Sequence, residues 1–369
     1  MTQSVRQPGS AIKPLSYLAA LGAGLQPNTL VEDNEITLRG RDRDSWTPKN
    51  YDGSSGGTLT LRRALENSRN LATVHLLDGG IADKPEASLT RLCDLAMEAQ
   101  IYHECMRYYP FVLGAQPVRP VDLAAFYAAI ANEGMRPTPY VVDSIERDGE
   151  ALYRHQPAAN RIDSVDSAAF YQLKSMMQGV LARGTARSIS HLAPYVAGKT
   201  GTSDDENDAW FVGFSNDVTA AVWIGYDNAD GKRRTLGGGA TGGGVAVPIF
   251  EPVMQAVWAH IAPRSALAPP SPEAKRQLAC KSVGREGREA QRGGSITECF
   301  RVDRKGNIID TQYRLVSRSS AYARADREER SARARRHRVE GYSVRASQQW
   351  GWGWGWGAAR AYPNFYYRW

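Results

Sequence analysis

Three extended segments between residues 195 and 226 constrain the fold more than any other feature of the sequence. Residues 195–201, 209–214 and 218–226 combine β-branched and aromatic residues, and short polar stretches separate them. Consecutive strands joined by short turns pair as an antiparallel meander. Residues 248–261 then predict an amphipathic helix that closes the sheet. The predicted apolar stripe of this helix consists of Ile249, Val253, Val257 and Ile261.

Helical periodicity dominates the sequence ahead of this sheet. A helix is predicted to begin at Ser10 and to end at Gly22, because apolar residues recur at helical spacing between them. Thr60 is the predicted N-cap of a second helix. Further helices are predicted over residues 120–132 and 167–181. The predicted fold class is therefore α+β, with an antiparallel sheet packed on helices and an additional helical lobe.

Composition divides the 369 residues into three parts. Residues 1–262 carry the regular patterns and are predicted to form one globular domain. Prolines mark residues 263–316 as a linker, in which residues 300–309 are predicted to form a small hairpin. Residues 317–369 are rich in arginine and end with alternating glycine and tryptophan, so they are predicted to be disordered.

The net charge of +7 is concentrated in this tail. Residues 317–369 contain 11 arginines and four acidic residues, an excess that equals the charge of the whole chain. The remainder is close to neutral, so we expect no nucleic-acid partner. The sequence contains neither a signal-peptide pattern nor an apolar run long enough to span a bilayer.

The four cysteines and six histidines do not form a metal-binding pattern. No Cys-x-x-Cys occurs and the histidines are scattered, so we expect neither a metal site nor a cofactor. Cys280 and Cys299 flank a loop rich in glycine and arginine. They fit either a disulfide formed in an oxidising compartment or two free thiols. The glycine-rich segment 237–244 lacks the lysine of a phosphate-binding loop and is interpreted as a loop near a cleft.

Three short motifs follow one another in an order that predicts serine acyl transfer. They are Ser10-Ala11-Ile12-Lys13, Ser68-Arg69-Asn70 and Lys199-Thr200-Gly201-Thr202. Taken singly, they are typical of an exposed helical turn, a helix cap and a strand end. Together, at a helix start, a turn and a strand, they match the signature of serine enzymes that form an acyl intermediate.

The chemistry of these motifs assigns a role to each residue. Ser10 is the candidate nucleophile, and Lys13, one turn later on the same helix face, is its candidate base. Ser68 is the candidate relay that passes the proton towards the leaving amine. The N–H groups of Ser10 and Thr202 form the candidate oxyanion hole.

The remaining motif residues are candidate substrate contacts. Asn70 is expected to bind a substrate amide, and Lys199 to supply positive charge. Thr200 and Thr202 are expected to hold a carboxylate, while Gly201 leaves room for a peptide that pairs with the strand edge.

The stretch Arg6-Gln7-Pro8-Gly9-Ser10-Ala11-Ile12-Lys13-Pro14 resembles the transpeptidase domain of class A, bifunctional penicillin-binding proteins. The resemblance covers about residues 1–262. Further matching segments are residues 46–52, 64–70, 183–186, 198–202 and 208–213. It implies the fold shared by serine β-lactamases and penicillin-binding transpeptidases. It also implies cross-linking of peptidoglycan stem peptides that end in D-Ala-D-Ala, and acylation of Ser10 by β-lactams.

The same resemblance implies a location and further parts of the protein. Members of the family act at the periplasmic face of the bacterial inner membrane. They carry a membrane anchor, a glycosyltransferase domain and the first strands of the transpeptidase sheet ahead of the serine motif. We therefore expect this chain to be N-terminally truncated, with its leading strands missing and a membrane contact only through the absent segment.

Two alternative functions stay open at this stage. A D,D-carboxypeptidase or a β-lactamase uses the same acyl-enzyme but passes the acyl group to water. The long segment 14–68, with Trp46-Thr47-Pro48, favours the transpeptidase. A non-catalytic remnant that only binds wall peptide or a partner is the other alternative.

Overall fold

The computed structural model describes residues 3–40, 45–227, 232–284, 295–309 and 314–315. Residues 1–318 cluster as one unit. The predicted disordered tail lies outside the described residues. The α-helices are α1 (Lys13–Gly22), α2 (Leu61–Glu66), α3 (Asn70–His75), α4 (Pro85–Glu98), α5 (Pro120–Ala131), α6 (Ser167–Ala182), α7 (Val247–His260) and α8 (Pro272–Arg276).

Strands alternate with these helices along the chain. They are β1 (Leu30–Asp33), β2 (Leu38–Arg39), β3 (Ser45–Trp46), β4 (Gly57–Thr60), β5 (Met135–Pro137), β6 (Ser144–Arg147), β7 (Glu150–Arg154), β8 (Ala159–Arg161), β9 (Ala197–Thr202), β10 (Asp208–Phe214), β11 (Thr219–Gly225), β12 (Leu278–Gly284), β13 (Ser295–Arg301) and β14 (Arg314–Leu315). Among the described helices, none has the length and apolar character needed to cross a bilayer.

The predicted meander is confirmed as a three-stranded antiparallel sheet in the order β11-β10-β9. The central strand β10 is buried along its whole length. Its side chains alternate between two cores: Trp210 and Val212 join the core that contains α1 and α5, whereas Phe211 joins the core that contains α7. The sheet is therefore covered by helices on both faces, as the α+β prediction requires.

Helix α7 forms where the sequence predicts it, but three of the four predicted core positions were wrong. Ile249, Val253 and Ile261 are 46%, 42% and 73% exposed, and only Val257 is buried. The side that packs on the sheet consists of Val247, Phe250, Met254 and Val257. Both stripes have helical spacing, so periodicity predicts the helix without deciding which stripe meets the sheet.

Helix α1 lies in the centre of the molecule and is buried almost all round. It contacts α2, α4 and α6, and the 3-10 turn Gly9–Ile12 leads into it. The predicted N-cap of α2 is confirmed, since Thr60 Oγ1 accepts from the Arg63 N–H at 3.3 Å. Because α1 is enclosed by other helices, the residues at its N-terminus are held by tertiary packing.

The C-terminal part of the described chain adds a hairpin to the body. Strands β12 and β13 pair in register, and Cys280 and Cys299 lie opposite each other and are joined by a disulfide. The small hairpin predicted at residues 300–309 corresponds to a turn in which Val302 and Ile308 form an isolated bridge, while the Asp303 and Ile309 N–H groups donate to the Asn307 and Arg301 carbonyls. A second disulfide, Cys93–Cys105, joins α4 to the following loop and was not anticipated. The predicted limits of the three domains stay predictions.

A buried ion pair attaches this hairpin to α2. Glu298 on β13 and Arg62 on α2 are 2% and 4% exposed. Arg62 donates through Nε at 2.5 Å and through Nη2 at 2.7 Å to the two carboxylate oxygens. Burial works against the charged guanidinium, but Glu298 and Glu66 outweigh it and raise the pKa of Arg62. The pair therefore depends on both charges being present.

We predict that Glu298→Ala lowers the free energy of unfolding by about 3 kcal/mol, because it leaves a buried guanidinium without its bidentate partner. The matched control is Glu273→Ala, which removes an exposed ion pair with Arg161 and should cost at most about 1 kcal/mol. Urea unfolding of the two variants and the wild type measures both values. Equal losses in the two variants would contradict the structural importance of the buried pair.

Candidate active site

The first motif lies where a 3-10 turn passes into α1. Ser10 is half-buried within this turn, and its carbonyl accepts from the Lys13 N–H. The turn is anchored from two sides, since Tyr127 Oη donates to the Ala11 carbonyl at 2.7 Å and Trp210 Nε1 to the Gln7 carbonyl at 2.9 Å. The candidate nucleophile therefore stands on a backbone fixed by the helical lobe and the sheet together.

Strand β9 touches this turn through backbone atoms. Gly9 has φ of +48°, and a Cβ there would lie 2.2 Å from the Thr202 carbonyl oxygen. A Cβ on Gly201 would lie 2.4 Å from the Pro8 carbonyl oxygen and 2.8 Å from the Ala11 Cβ. Gly201 was predicted to leave room for substrate, but on this side the free space is taken by the turn that carries Ser10. The glycines bring the backbones of Ser10 and Thr202 close together.

Lys13 is fully buried and fixed by two acceptors. Its Nζ donates to the Ser68 carbonyl at 2.6 Å and to Asn70 Oδ1 at 2.6 Å. Burial, followed by the charge of Lys199, lowers the pKa of Lys13 well below its usual value, against the opposing effect of Asp33. A neutral amine has two N–H donors and one lone pair. In that neutral form the two acceptors at 2.6 Å would use both donors and leave the lone pair for a proton, while Ser68 Oγ is the third neighbour of the nitrogen at 3.4 Å.

Ser68 occupies the short connection between α2 and α3 in a left-handed conformation. Its φ is +56°, which is uncommon for a residue with a side chain. This conformation presents both the carbonyl and the hydroxyl to the lysines. Ser68 Oγ accepts from Lys199 Nζ at 2.8 Å and lies 3.4 Å from Lys13 Nζ. The hydroxyl of Ser68 is therefore shared by two amines.

Lys199 is the second buried amine and lies on β9. It has no exposed surface, and this burial lowers its pKa to about 7. Besides Ser68 Oγ, its Nζ bonds the Thr200 carbonyl at 3.1 Å. A group with this pKa changes charge near neutral pH, which makes Lys199 an adjustable source of positive charge.

Asn70 begins α3 and is held by residues outside the predicted site. Its backbone N–H donates to Asn50 Oδ1 at 2.7 Å, and Asn50 Nδ2 donates to Asp33. Arg69 Nε also donates to the fully buried Asp33, at 2.7 Å. With its Oδ1 on Lys13 and its Nδ2 on the Lys49 carbonyl, Asn70 makes contacts mainly within the protein. Asn50 belongs to the segment 46–52 of the family resemblance, the only sequence signal for it.

The threonines of β9 form the other wall of the site. Thr200 Oγ1 lies 2.6 Å from Thr185 Oγ1, and Thr202 Oγ1 accepts from the Gly242 N–H at 3.1 Å. The segment 242–246 is a short π-helical turn that overlaps the end of the glycine-rich segment 237–244, so this loop does border the motif residues. Thr185 was part of the resemblance at residues 183–186 but was not named as a site residue.

The structure thus brings the three motifs together. Hydrogen bonds join Ser68 to Lys13 and Lys199, and Lys13 to Asn70. Backbone contacts join the Ser10 turn to Gly201 and Thr202. Such a site offers a hydroxyl nucleophile, an amine with a free lone pair, a proton relay and a positive charge, the groups that acyl transfer needs.

Comparisons of sequence agree with this geometry. The family profile described as "Penicillin binding protein transpeptidase domain" matches residues 1–91 and 112–255. Penicillin-binding protein 1A of Rickettsia bellii is 34% identical over 326 residues, which cover 82% of this chain and 39% of the relative. Penicillin-binding protein 1A of Neisseria lactamica is 36% identical over 261 residues, covering 69% and 32%. The chain spans about two fifths or less of these relatives.

Solved structures share the fold. The crystal structure of penicillin-binding protein 1A from Haemophilus influenzae has a TM-score of 0.70 at 22% identity, and covers 85% of this chain and 49% of that one. A penicillin G acyl-enzyme complex of penicillin-binding protein A from Mycobacterium tuberculosis has a TM-score of 0.54 at 23% identity, with 69% and 61% covered. With the profile and the relatives, these likenesses confirm the predicted fold class, and the chain belongs to the penicillin-binding protein transpeptidase domain family.

Proposed function

We propose that this chain is a serine-type D-Ala-D-Ala transpeptidase that cross-links peptidoglycan stem peptides through an acyl-enzyme. The observation that carries the proposal is the arrangement of two buried amines on one serine hydroxyl. Burial lowers the pKa of both Lys13 and Lys199, and Ser68 Oγ lies 3.4 Å from Lys13 Nζ and 2.8 Å from Lys199 Nζ. A lysine on the surface keeps its charge and binds water. Two lysines that are buried beside one hydroxyl have lowered pKa values, so this arrangement favours proton transfer over a structural role.

The first step is attack on the carbonyl carbon of the penultimate D-Ala. Ser10 Oγ forms the new C–O bond while its proton moves to the lone pair of Lys13. The N–H groups of Ser10 and Thr202 donate to the oxyanion that forms. When the C–N bond breaks, Ser68 Oγ gives its proton to the leaving D-Ala amine and regains one from Lys13, 3.4 Å away.

Substrate binding uses the wall formed by β9. The edge of this strand that is left unpaired in the described sheet is the proposed binding edge for the extended stem peptide. Lys199 supplies the positive charge, and the hydroxyls of Thr200 and Thr202 hold the terminal carboxylate. Asn70 is in place to contact the substrate amide through its exposed edge, although its Oδ1 is already engaged by Lys13.

The acyl group then passes to an amine of a second stem peptide. Transfer to water would make the chain a carboxypeptidase or a β-lactamase, and the description of the matching family as a transpeptidase domain favours the amine. β-Lactams are proposed to acylate Ser10, in line with the penicillin G acyl-enzyme complex of a protein of the same fold.

The relatives named penicillin-binding protein 1A support a location for this activity. We place the reaction at the periplasmic face of the bacterial inner membrane, where peptidoglycan is the substrate. Two disulfides within the described residues suit an oxidising compartment of this kind.

We predict that Ser10→Ala abolishes covalent labelling by a fluorescent penicillin, because Ser10 supplies the oxygen of the ester. Lys13→Ala should abolish it as well, since Lys13 is the buried amine with a lowered pKa one turn after Ser10 and is the proposed acceptor of its proton. Ser144→Ala, on the exposed strand β6, is the matched control and should label like the wild type. Labelling that persists in Ser10→Ala would disprove the assignment of the nucleophile.

We predict a pH-dependent effect of Lys199→Ala on acylation. Below pH 7 Lys199 is protonated in the wild type, so its loss should raise the barrier by about 2–4 kcal/mol. Above the pKa of about 7 the wild type itself loses this charge, and the ratio of the two rates should shrink. Second-order rates of penicillin acylation between pH 5.5 and 9 measure the ratio. A ratio that is constant with pH would show that Lys199 does not act through its charge.

A further inference from the structure

We propose that Thr185 is a third hydroxyl of the subsite that receives the terminal carboxylate of the substrate, and that it helps to select substrates carrying this group. The inference rests on the proposed function and deepens it. Thr185 lies outside the three motifs, in the loop between α6 and β9. Four observations support it.

The first observation is the contact between two hydroxyls of different exposure. Thr185 Oγ1 and Thr200 Oγ1 are 2.6 Å apart, at the short end of hydrogen bonds between hydroxyls. Thr200 is 5% exposed, whereas Thr185 is exposed. A ligand on the wall formed by β9 therefore approaches Thr185, the more exposed residue of the pair, beside the buried Thr200.

The second observation is the number of protons that the pair holds. Each hydroxyl has one proton, and the contact between them uses one of the two. If Thr185 donates to Thr200, the Thr200 proton is free for a ligand. If Thr200 donates to Thr185, the Thr185 proton is free instead. In either case the pair offers one donor, and a carboxylate accepts it in a charge-assisted hydrogen bond.

The third observation is that the backbone of Thr185 is fixed. Its N–H donates to the Glu66 carbonyl at 3.1 Å. A Cβ on the preceding residue, Gly184, would lie 2.1 Å from the same carbonyl oxygen. Arg183 donates to the Glu66 carboxylate, with Nε at 3.3 Å from Oε2. This anchoring to α2, two residues before Ser68, holds the Thr185 hydroxyl in place as binding requires.

The fourth observation is the enclosure of the subsite by a glycine turn. A Cβ on Gly243 would lie 2.6 Å from the Thr185 carbonyl oxygen and 3.9 Å from Thr200 Cγ2. The neighbouring Gly242 N–H occupies a lone pair of Thr202 Oγ1, so the Thr202 proton stays available. The turn thus borders all three threonines.

The experiment compares a ligand with and without the carboxylate. Benzylpenicillin and its methyl ester are each incubated with the full chain, and a fluorescent penicillin then labels the sites left free. The variants are Thr185→Val, which keeps the shape and removes the hydroxyl, and Thr185→Ser, which restores it. Thr90→Val, on the exposed side of α4, is the matched control.

We expect Thr185→Val to slow acylation by benzylpenicillin about 5- to 10-fold, because Thr200 keeps its own proton but loses the neighbouring hydroxyl that orients it. Acylation by the methyl ester should change less than about threefold. Thr185→Ser and Thr90→Val should behave like the wild type with both compounds.

Two outcomes would overturn the inference while the proposed function stands. One is an equal slowing of acid and ester in Thr185→Val, which would mean that Thr185 only supports the loop. The other is no slowing of either compound. A wild-type chain that neither compound acylates would refute the proposed function itself, and this inference with it.

Discussion

The burial of two lysine side chains beside one serine hydroxyl is the interaction on which the site depends. Moving an ammonium group out of water costs several kcal/mol, so each amine needs fixed acceptors or must lose its proton. Lys13 and Lys199 meet this requirement in both ways, through the lowered pKa values and through the carbonyls of Ser68 and Thr200. The left-handed backbone of Ser68 follows from the same requirement, because it turns a carbonyl and a hydroxyl towards one pair of amines.

The surroundings of Ser68 can be understood as its support. Asp33 and Asn50 hold the N-terminus of α3 on one side of the connection, while Glu66 and Arg183 hold the C-terminus of α2 on the other. A residue in an unfavourable backbone region stays there only when its neighbours leave it no alternative. The site is therefore rigid where the proton passes, which lowers the cost of reorganisation during the reaction.

Much of the fold could be predicted from local patterns, and the rest required knowledge of distant contacts. The strands around Lys199 and the helix that begins near Ser10 follow from periodicity and are confirmed. Periodicity could not decide which stripe of α7 meets the sheet, because that depends on the shape of its partner. Cys93 and Cys105 lack a diagnostic spacing, and their pairing follows only from the loop after α4.

The site shows the same division between local and distant information. Lys13, Ser68 and Asn70 were selected as site residues from their motifs, and hydrogen bonds join them in the structure. Asp33, which accepts hydrogen bonds from Arg69 and Ala72, lies 36 and 39 residues before them in the sequence. Thr185 approaches Thr200 from another loop. A short motif identifies the residues that react but not the distant residues that fix their position. Asp33 and Thr185 could therefore be recognised as partners only from the structure.

The hairpin of β12 and β13 shows that the family match ends before the packed structure does. The matched segment ends at residue 255, yet the carboxylate that neutralises Arg62 belongs to Glu298. Shortening the chain to the matched segment for crystallisation or screening would remove Glu298. Arg62, on the helix that precedes Ser68, would then lose its bidentate partner. Where such a protein is trimmed should accordingly be decided by its buried charges and not by its sequence similarity.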